Sequence, residues 1–419
     1  MSGPSDPKAP DVDDLSRTGR KRPERTQLGV GAVLLVAVVL LLGGIGIGWE
    51  VAKSMSGNGT SSGSPSGGAT TYTISETGSS LIYPLMSLWA PNYTALNPSV
   101  TVTPASTGSG TGISSAEAGT VSIGGTDAYL APATATSDNL LNVPVAISSQ
   151  LIFYNLAGIS AHLHLNGTVL AMIYSGKITQ WNNPLIAAAN PGANLPSQTI
   201  VPLHRSDGSG DTFMFSSLCY LSWKGWTAGY GTTVSWIPSS PGYNGNAGMV
   251  TGLSHTQYGI AYIGISYLSE AEAAGLGYAA LGDQAANENG TSPANYILPT
   301  PQNISEDANL GLANLQPPSM AVSLILGGVP GATDLTLGGG GTLPSALYPT
   351  PYPDTNLEYL LISTHPSNPA LQKQVVQFIE WGLSYGNGPV YMEAVHFLPL
   401  TAGVAGYDMQ ALASVEIAA

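Results

Sequence analysis

The sequence predicts an α/β domain whose parallel or mixed sheet is covered by helices on both faces. Three observations point there. A strand, a turn of small residues and a helix follow one another twice, over 71–89 and 100–118. An apolar run over 143–155 suits a buried strand. A further strand, 199–203, feeds into a Gly-Ser-Gly turn and the apolar stretch 213–218, which is how a helix begins.

Taken in order, residues 71–75 alternate as a strand and Gly78-Ser79-Ser80 makes a turn. Leu81, Leu85, Leu88 and Trp89 recur at helical spacing, with Pro84 in the first turn, where a missing N–H costs little. Residues 100–103 are the next strand, and Gly108-Ser109-Gly110-Thr111-Gly112 leads into a short helix over 113–118. A strand over 121–124 ends at Thr126-Asp127. The apolar segment 170–174 and the turn Trp181-Asn182-Asn183-Pro184 precede the strand 199–203, and 259–263 is a strand leading back toward the first unit. The stretch 285–352, rich in Gly, Pro and Asn, reads as loop with one helix. Residues 357–363 form a strand, and 371–383 a helix whose core face carries Val375, Val376, Phe378, Ile379 and Leu383. His396-Phe397-Leu398-Pro399-Leu400 precedes a short C-terminal helix. Trp223, Trp226 and Trp236 are expected to fill the core of the second half, and Cys219 to lie in it.

Charge is scarce. Charged residues make up 9 % of the 419 positions, against roughly 25 % in soluble proteins. The formal net charge of −14 excludes nucleic acid, which needs a basic footprint. One cysteine makes no internal disulfide. Residues 1–27 are polar and end in a basic run, and 28–49 is a 22-residue stretch without a charge. That length suits a single transmembrane anchor, with the basic flank inside and the rest of the chain outside the cytoplasm. A cleaved secretory signal peptide is the alternative. Residues 50–71 read as a flexible Gly/Ser/Thr linker. Sequons at Asn58, Asn92, Asn166, Asn289 and Asn303 permit glycosylation without requiring it.

The chemistry concentrates at His204-Arg205-Ser206-Asp207-Gly208-Ser209-Gly210-Asp211. From residue 71 onward the chain holds four basic residues, Lys177, Arg205, Lys224 and Lys373, against nineteen acidic ones. A guanidinium this isolated, beside a helix start capped by Ser209 or Asp211, makes a site for a tetrahedral oxyanion. The alternative reading pairs Arg205 with Asp207 as a strut. Ser80, Ser109 and Asp127 likewise follow predicted strands, where ligands of such sheets sit. His162 and His164 read as a solvated turn rather than a metal site, and His204 as a cap on the sheet edge. No Ser–His–Asp ordering, Cys/His cluster or full P-loop is present, so catalysis lacks its parts.

With those residues placed, the chain resembles the substrate-binding proteins of phosphate ABC transporters, the PstS family, from about Thr73 to Thr401. The motifs are Thr77-Gly-Ser-Ser80, Gly108-Ser-Gly-Thr-Gly112, Gly125-Thr-Asp127, Arg205-Ser-Asp-Gly-Ser-Gly-Asp211, Tyr258-Gly-Ile-Ala-Tyr-Ile263, Tyr352-Pro-Asp-Thr-Asn-Leu-Glu-Tyr359 and His396-Phe-Leu-Pro-Leu400. The resemblance implies a type II periplasmic-binding-protein fold preceded by the anchor: two α/β lobes, 72–143 plus 262–419 and 144–261, joined by a two-strand hinge with the ligand in the cleft. It implies phosphate held by Ser80, Leu81, Ser109, Asp127, Arg205, Ser209, Gly210 and Asp211, with Asp207 fixing the plane of Arg205. The function implied is extracytoplasmic binding of inorganic phosphate and its delivery to ABC permease subunits with a cytoplasmic ATPase, without a cofactor and without catalysis. A phosphatase on the same fold and a tethered sensor or adhesion protein are the alternatives. A carboxylate in such a pocket accepts a proton that hydrogen phosphate has and sulfate lacks. Asp211 stands where some members have Thr. With Asp127 it would give the pocket two acceptors and suit an acidic exterior. The stretch 327–346 reads as an insertion.

Overall fold

The computed structural model describes residues 70–159, 161–282, 296–312 and 352–418. Expectations for the tail, the anchor, most of the linker, the sequons at Asn58 and Asn289 and the 327–346 stretch lie outside these residues. Strand β1 (Tyr72–Gly78) pairs in parallel with β2 (Val100–Thr103) on one side and β3 (Ile123–Thr126) on the other. The crossovers between them are α1 (Tyr83–Leu96) and α2 (Ser109–Glu117), and α3 (Pro132–Ser137) follows β3. The fifteen-residue β4 (Leu140–Tyr154) is buried almost throughout, as its unbroken apolar pattern requires.

Beyond β4 come β5 (His164–Leu165), α4 (Gly167–Tyr174), α5 (Pro184–Ala189), β6 (Val201–Arg205) and α6 (Gly210–Ser222). Then follow β7 (Gly242–Tyr243), α7 (Gly245–Ser254), β8 (Gly259–Gly264), α8 (Leu268–Ala273), β9 (Gly277–Tyr278), β10 (Ala280–Gly282), β11 (Tyr296–Ile297) and α9 (Pro301–Leu312). The chain closes with β12 (Thr355–Ser363), α10 (Pro369–Ser384), α11 (Pro389–Met392) and α12 (Ala402–Ala418). The main sheet has nine strands in the order β2-β1-β3-β12-β4-β8-β6-β7, with β9 also on β4. Strands β11, β10 and β5 form a smaller sheet. This is the α/β fold the alternation predicts.

The sheet turns on β4. It pairs antiparallel with β12 from Leu140 to Ser149, then with β8 from Gln150 to Tyr154. Because β8 and β6 run against β4 while β1 and β3 run with it, the carboxyl ends of β1, β2 and β3 meet the carboxyl end of β6 near the middle of β4. Two aromatic clusters flank this seam. Trp89 and Tyr93 of α1 pack edge-on against Phe378 and Trp381 of α10. On the other side Phe215 stacks on Tyr262, with Tyr174 and Trp236 against them. Trp226 is buried, Trp223 and Trp236 are partly buried against the same core, and Cys219 is fully buried.

Two expectations need correction. The C-terminal helix is not short: α12 runs seventeen residues, because Val404, Leu412 and Val415 make an apolar face against α10. Asn166 is not open for glycosylation. It is buried, and its side chain caps α4 by accepting from the Val169 N–H at 2.9 Å.

Several carboxyls are buried without a cation. Burial lifts Glu76 on β1 to about 8 and Asp408, in the middle of the α12 apolar face, to about 9. Asp354 is raised well above the usual range by burial and by Asp211. Such an acid is protonated in both states below about pH 4. Between there and its folded pKa the unfolded chain releases the proton and the folded chain keeps it. Stability therefore falls as pH rises, by about 1.4 kcal/mol per pH unit for each group. The melting temperature is expected to be highest near pH 4 and to decline toward pH 8. Asp408→Asn should flatten the decline, and a melting temperature that climbs across this range in calorimetry would contradict the assignment.

Candidate functional site

The site grows from four turns at strand ends. β1 stops at Gly78, whose φ of +148° and contact with the Gly125 backbone leave no room for a Cβ. The turn after it is held by Ser79, whose Oγ accepts from the N–H groups of Leu81 (2.9 Å) and Ile82 (3.2 Å). Gly108, with φ of +91°, starts the second turn, and Ser109 opens α2. β3 delivers Asp127. β6 ends at Arg205, and after Asp207-Gly208 the N-cap Ser209 accepts from the Thr212 N–H at 3.2 Å. Glycine lets the turns touch: the Gly110 N–H donates to the Gly208 carbonyl at 2.9 Å, and a Cβ on Gly108, Gly110 or Gly210 would collide with Asp207, Gly208 or Asp127 respectively.

Arg205 is 3 % exposed and held by two carboxylates. Its Nε donates to Asp207 Oδ1 at 2.8 Å and its Nη2 to Asp207 Oδ2, a bidentate pair, while Nη1 donates to Asp211 Oδ2 at 2.5 Å. Burial works against the cation, but Asp207 and Asp211 outweigh it and hold the guanidinium charged. The Asp207 strut is present, and with Asp211 it leaves two of five N–H donors unused by these carboxylates. Asp211 accepts further from Asn246 Nδ2 at 2.8 Å on Oδ2 and from Gln150 Nε2 at 3.3 Å on Oδ1. Burial pushes Asp211 upward, with Arg205 the strongest opposing influence. The Arg205 N–H donates to Tyr262 Oη at 2.9 Å, and that hydroxyl also bonds Thr212 Oγ1 at 2.8 Å.

Asp127 is 1 % exposed. Its Oδ2 accepts from Ser109 Oγ at 3.4 Å, its N–H donates back to that hydroxyl at 3.3 Å, and Asn356 Nδ2 holds its carbonyl. Its carboxyl also hydrogen-bonds Glu358, a buried acid on β12 that Ser148 Oγ bonds at 2.5 Å. Burial, then the neighbouring Asp211, raises Asp127 to about 6, and the hydrogen bonds from Glu358 and Ser79 restrain the rise. Burial and Asp127 push Glu358 well above the usual range, so Glu358 is the partner that keeps the proton.

The eight positions singled out in the sequence come together here. Ser80 is linked through Asn246 to Asp211 and Arg205, Ser109 to Asp127, and Gly210 lies against Asp127. The Leu81 amide is already engaged by Ser79. Sequence reasoning missed four residues. Gln150 and Ser148 were visible only as polar interruptions in an apolar run, Glu358 as one letter of a longer motif, and Asn246 as part of a Gly/Asn turn before a helix. The histidines stand apart. His162 and His164 pair through Nδ1 with the carbonyls of Tyr278 and Ala189, and His204, next to the edge strand β7, pairs with Ser240 Oγ at 2.8 Å.

The sequence profile of the PBP superfamily domain matches residues 64–384. The phosphate-binding protein PstS of Pasteurella multocida is 31 % identical over 334 residues, covering 78 % of this chain and 86 % of its own length. That of Methanocaldococcus jannaschii is 27 % identical over 405 residues, 92 % of this chain and 95 % of its own length. Among solved structures, the high affinity periplasmic phosphate-binding protein PfluDING, bound with phosphate, superposes with a TM-score of 0.60 at 19 % identity, covering 80 % of this chain and 92 % of that one. A human phosphate binding apolipoprotein superposes with a TM-score of 0.57 at 19 % identity and the same coverages. These two likenesses show the fold.

The carboxyl pair has a measurable consequence. Glu358→Gln keeps a donor facing Asp127 and should leave that carboxyl titrating near 6. Glu358→Met removes the donor and should move the titration upward, as read from the Asp127 13Cγ chemical shift. Equal titration in both variants would mean that Glu358 has no hold on Asp127.

Proposed function

Because this chain belongs to the phosphate-binding PstS proteins of the PBP superfamily, we propose that it binds inorganic phosphate outside the cytoplasm and delivers it to the permease subunits of an ABC transporter driven by a cytoplasmic ATPase. One observation carries the reading. A buried, pre-clamped guanidinium, the buried serines Ser80, Ser109 and Ser209, and one buried carboxylate with an unpartnered oxygen, Asp127, lie in the linked turns at the ends of β1, β2, β3 and β6. The donors suit a tetrahedral oxyanion. The acceptor, Asp127, suits one that still carries a proton.

In this reading Ser80, Ser109 and Ser209 donate their hydroxyls, Gly210 its amide, and Arg205 its two remaining N–H groups. Leu81 contributes least, since its amide serves Ser79. Asp211 takes a different part from the one its position suggests. With three of its four acceptor sites taken by Arg205, Asn246 and Gln150, it chiefly fixes the guanidinium, and Asp127, whose Oδ1 has no partner, is the principal acceptor.

The two lobes, 72–143 with 262–419 and 144–261, close on the ligand by a hinge. The change of partner along β4 supports placing one crossing at Ser149–Gln150, and the end of β8 at Gly264 the other. The pairing of β9 and β10 with β4 and β5 favours grouping that short segment with the second lobe instead. The uncharged run 28–49 would tether the domain to the membrane, outside the cytoplasm. Among the described residues no helix is long and apolar enough to cross a membrane.

Titration calorimetry tests the reading. Phosphate should bind and sulfate should not at neutral pH. Arg205→Ala should cost at least about 1.5–3 kcal/mol of binding, and Arg205→Lys should not restore it, since an ammonium cannot replace a fork held from two sides. Failure of the parent protein to bind phosphate would refute the proposal. Discrimination should also weaken in acid. As pH falls through about 6, Asp127 gains a proton, becomes a donor and can face sulfate, so sulfate affinity should rise. Asp127→Asn should admit sulfate at neutral pH. Sulfate binding that stays absent in both cases would remove Asp127 from its role as the discriminating acceptor.

A further inference from the structure

We propose that Asn246 sets the hydrogen-bond polarity of the pocket, compelling Ser80 to donate and Asp211 to remain an anion; the proposal rests on the phosphate reading above. Asn246 is the second residue of α7 and is fully buried. Its Oδ1 accepts from the Gly264 N–H at 2.9 Å, at the end of β8. An amide whose oxygen is committed in this way must present its NH2 on the opposite side. There Nδ2 donates to Asp211 Oδ2 at 2.8 Å and to Ser80 Oγ at 3.1 Å. The Asn246 backbone N–H donates to the same hydroxyl at 3.1 Å.

The consequence follows from counting lone pairs. A serine hydroxyl has two acceptor sites and one hydrogen. Both acceptor sites of Ser80 are taken by Asn246, so a hydrogen is all it can offer to a third party. Asp211 Oδ2 receives Asn246 and Arg205 together while Oδ1 receives Gln150 Nε2, so both oxygens face donors and the anion is the form that suits all three. One side chain, oriented by one backbone N–H, therefore points a donor at the pocket and completes the cage of the guanidinium. It also spans three separate parts of the chain: the turn after β1, the start of α6 and the end of β8. Asn246 does this through Ser80 and Asp211, which makes it a positioning residue. A buried asparagine that merely packed the start of α7 would affect melting and leave no trace in the pH dependence of binding.

The test uses the full-length protein in detergent, titrated with inorganic phosphate. Asn246→Asp keeps the shape and reverses the polarity. The introduced carboxylate cannot donate, repels Asp211, and invites the Ser80 hydrogen away from the ligand. The ionisable groups around it are Asp211, Arg205, Asp207, whose Oδ1 accepts from the Gly245 N–H, and Tyr262 and Tyr267 beyond them. Phosphate affinity at about pH 7.5 should fall roughly a hundredfold or more and recover in part by about pH 5, as the introduced group takes a proton and regains a donor. The parent should show no comparable recovery. An affinity within about threefold of the parent at neutral pH, or a loss of equal size at both pH values, overturns the proposal.

Should Asn246→Asp fail to melt cooperatively, a cycle of Asn246→Ala, Ser80→Ala and the double variant decides. Ser80→Ala should weaken binding less in the Asn246→Ala background than in the parent, because a hydroxyl released from its two donors no longer has to point at the ligand. Additive losses overturn the proposal. A parent that binds phosphate while these variants behave like it refutes this inference alone, whereas a parent that binds no phosphate refutes the function itself.

Discussion

The contact on which this structure depends is the guanidinium of Arg205 between Asp207 and Asp211. Of the basic residues among the described positions, Lys177, Lys224 and Lys373 are exposed, and Arg205 alone is buried. A buried cation survives only if its charge is matched and its donors are used. Asp207 supplies the fork-on-fork pair, Asp211 adds a second anion, and each of those carboxylates is fixed by further donors, Gly245 for Asp207 and Asn246 and Gln150 for Asp211. The turns after β6 and before α6 and α7 take the shapes that permit these bonds.

The surrounding acids fall into two chemical classes. Asp207 and Asp211 are buried as anions because Arg205 compensates them. Glu76, Glu358, Asp354 and Asp408 have no such partner, and the low-dielectric interior keeps their protons in place instead. Asp127 lies between the classes. It is buried beside the anion Asp211, yet it receives hydrogen bonds from Ser109 and Glu358, and its pKa falls where modest environmental changes alter its charge. A buried carboxyl poised in this way responds to the acidity of its surroundings.

Gln150 ties this electrostatic centre to the geometry of the sheet. It stands where β4 exchanges β12 for β8, and its side chain bonds both the carbonyl and the carboxylate of Asp211. A change in the angle between the two halves of β4 would therefore be felt directly at the residue that holds Arg205.

Much was legible in the sequence because it is written locally. Glycine turns after β1, β2 and β6, a serine at a helix start, the apolar run of β4 and the core face of α10 are each contained within a few turns of chain; they determined the fold class and set Ser80, Ser109, Asp127 and Arg205 after strand ends, and the resemblance to the PstS family completed the eight candidate positions. The isolation of Arg205 was also visible, since it is a matter of counting. What only the tertiary structure decided is which way those side chains face and which of them keep their protons. Asp211 turns toward Arg205 and Asn246, Glu358 reaches Asp127 across more than two hundred residues of sequence, and Asn246 meets Ser80 from the other half of the sheet. Asp408 is an ordinary acid in the sequence and a protonated one inside α12's apolar face. Hydrogen-bond direction and protonation depend on burial and on partners distant in sequence, and neither is a property of any short stretch of chain.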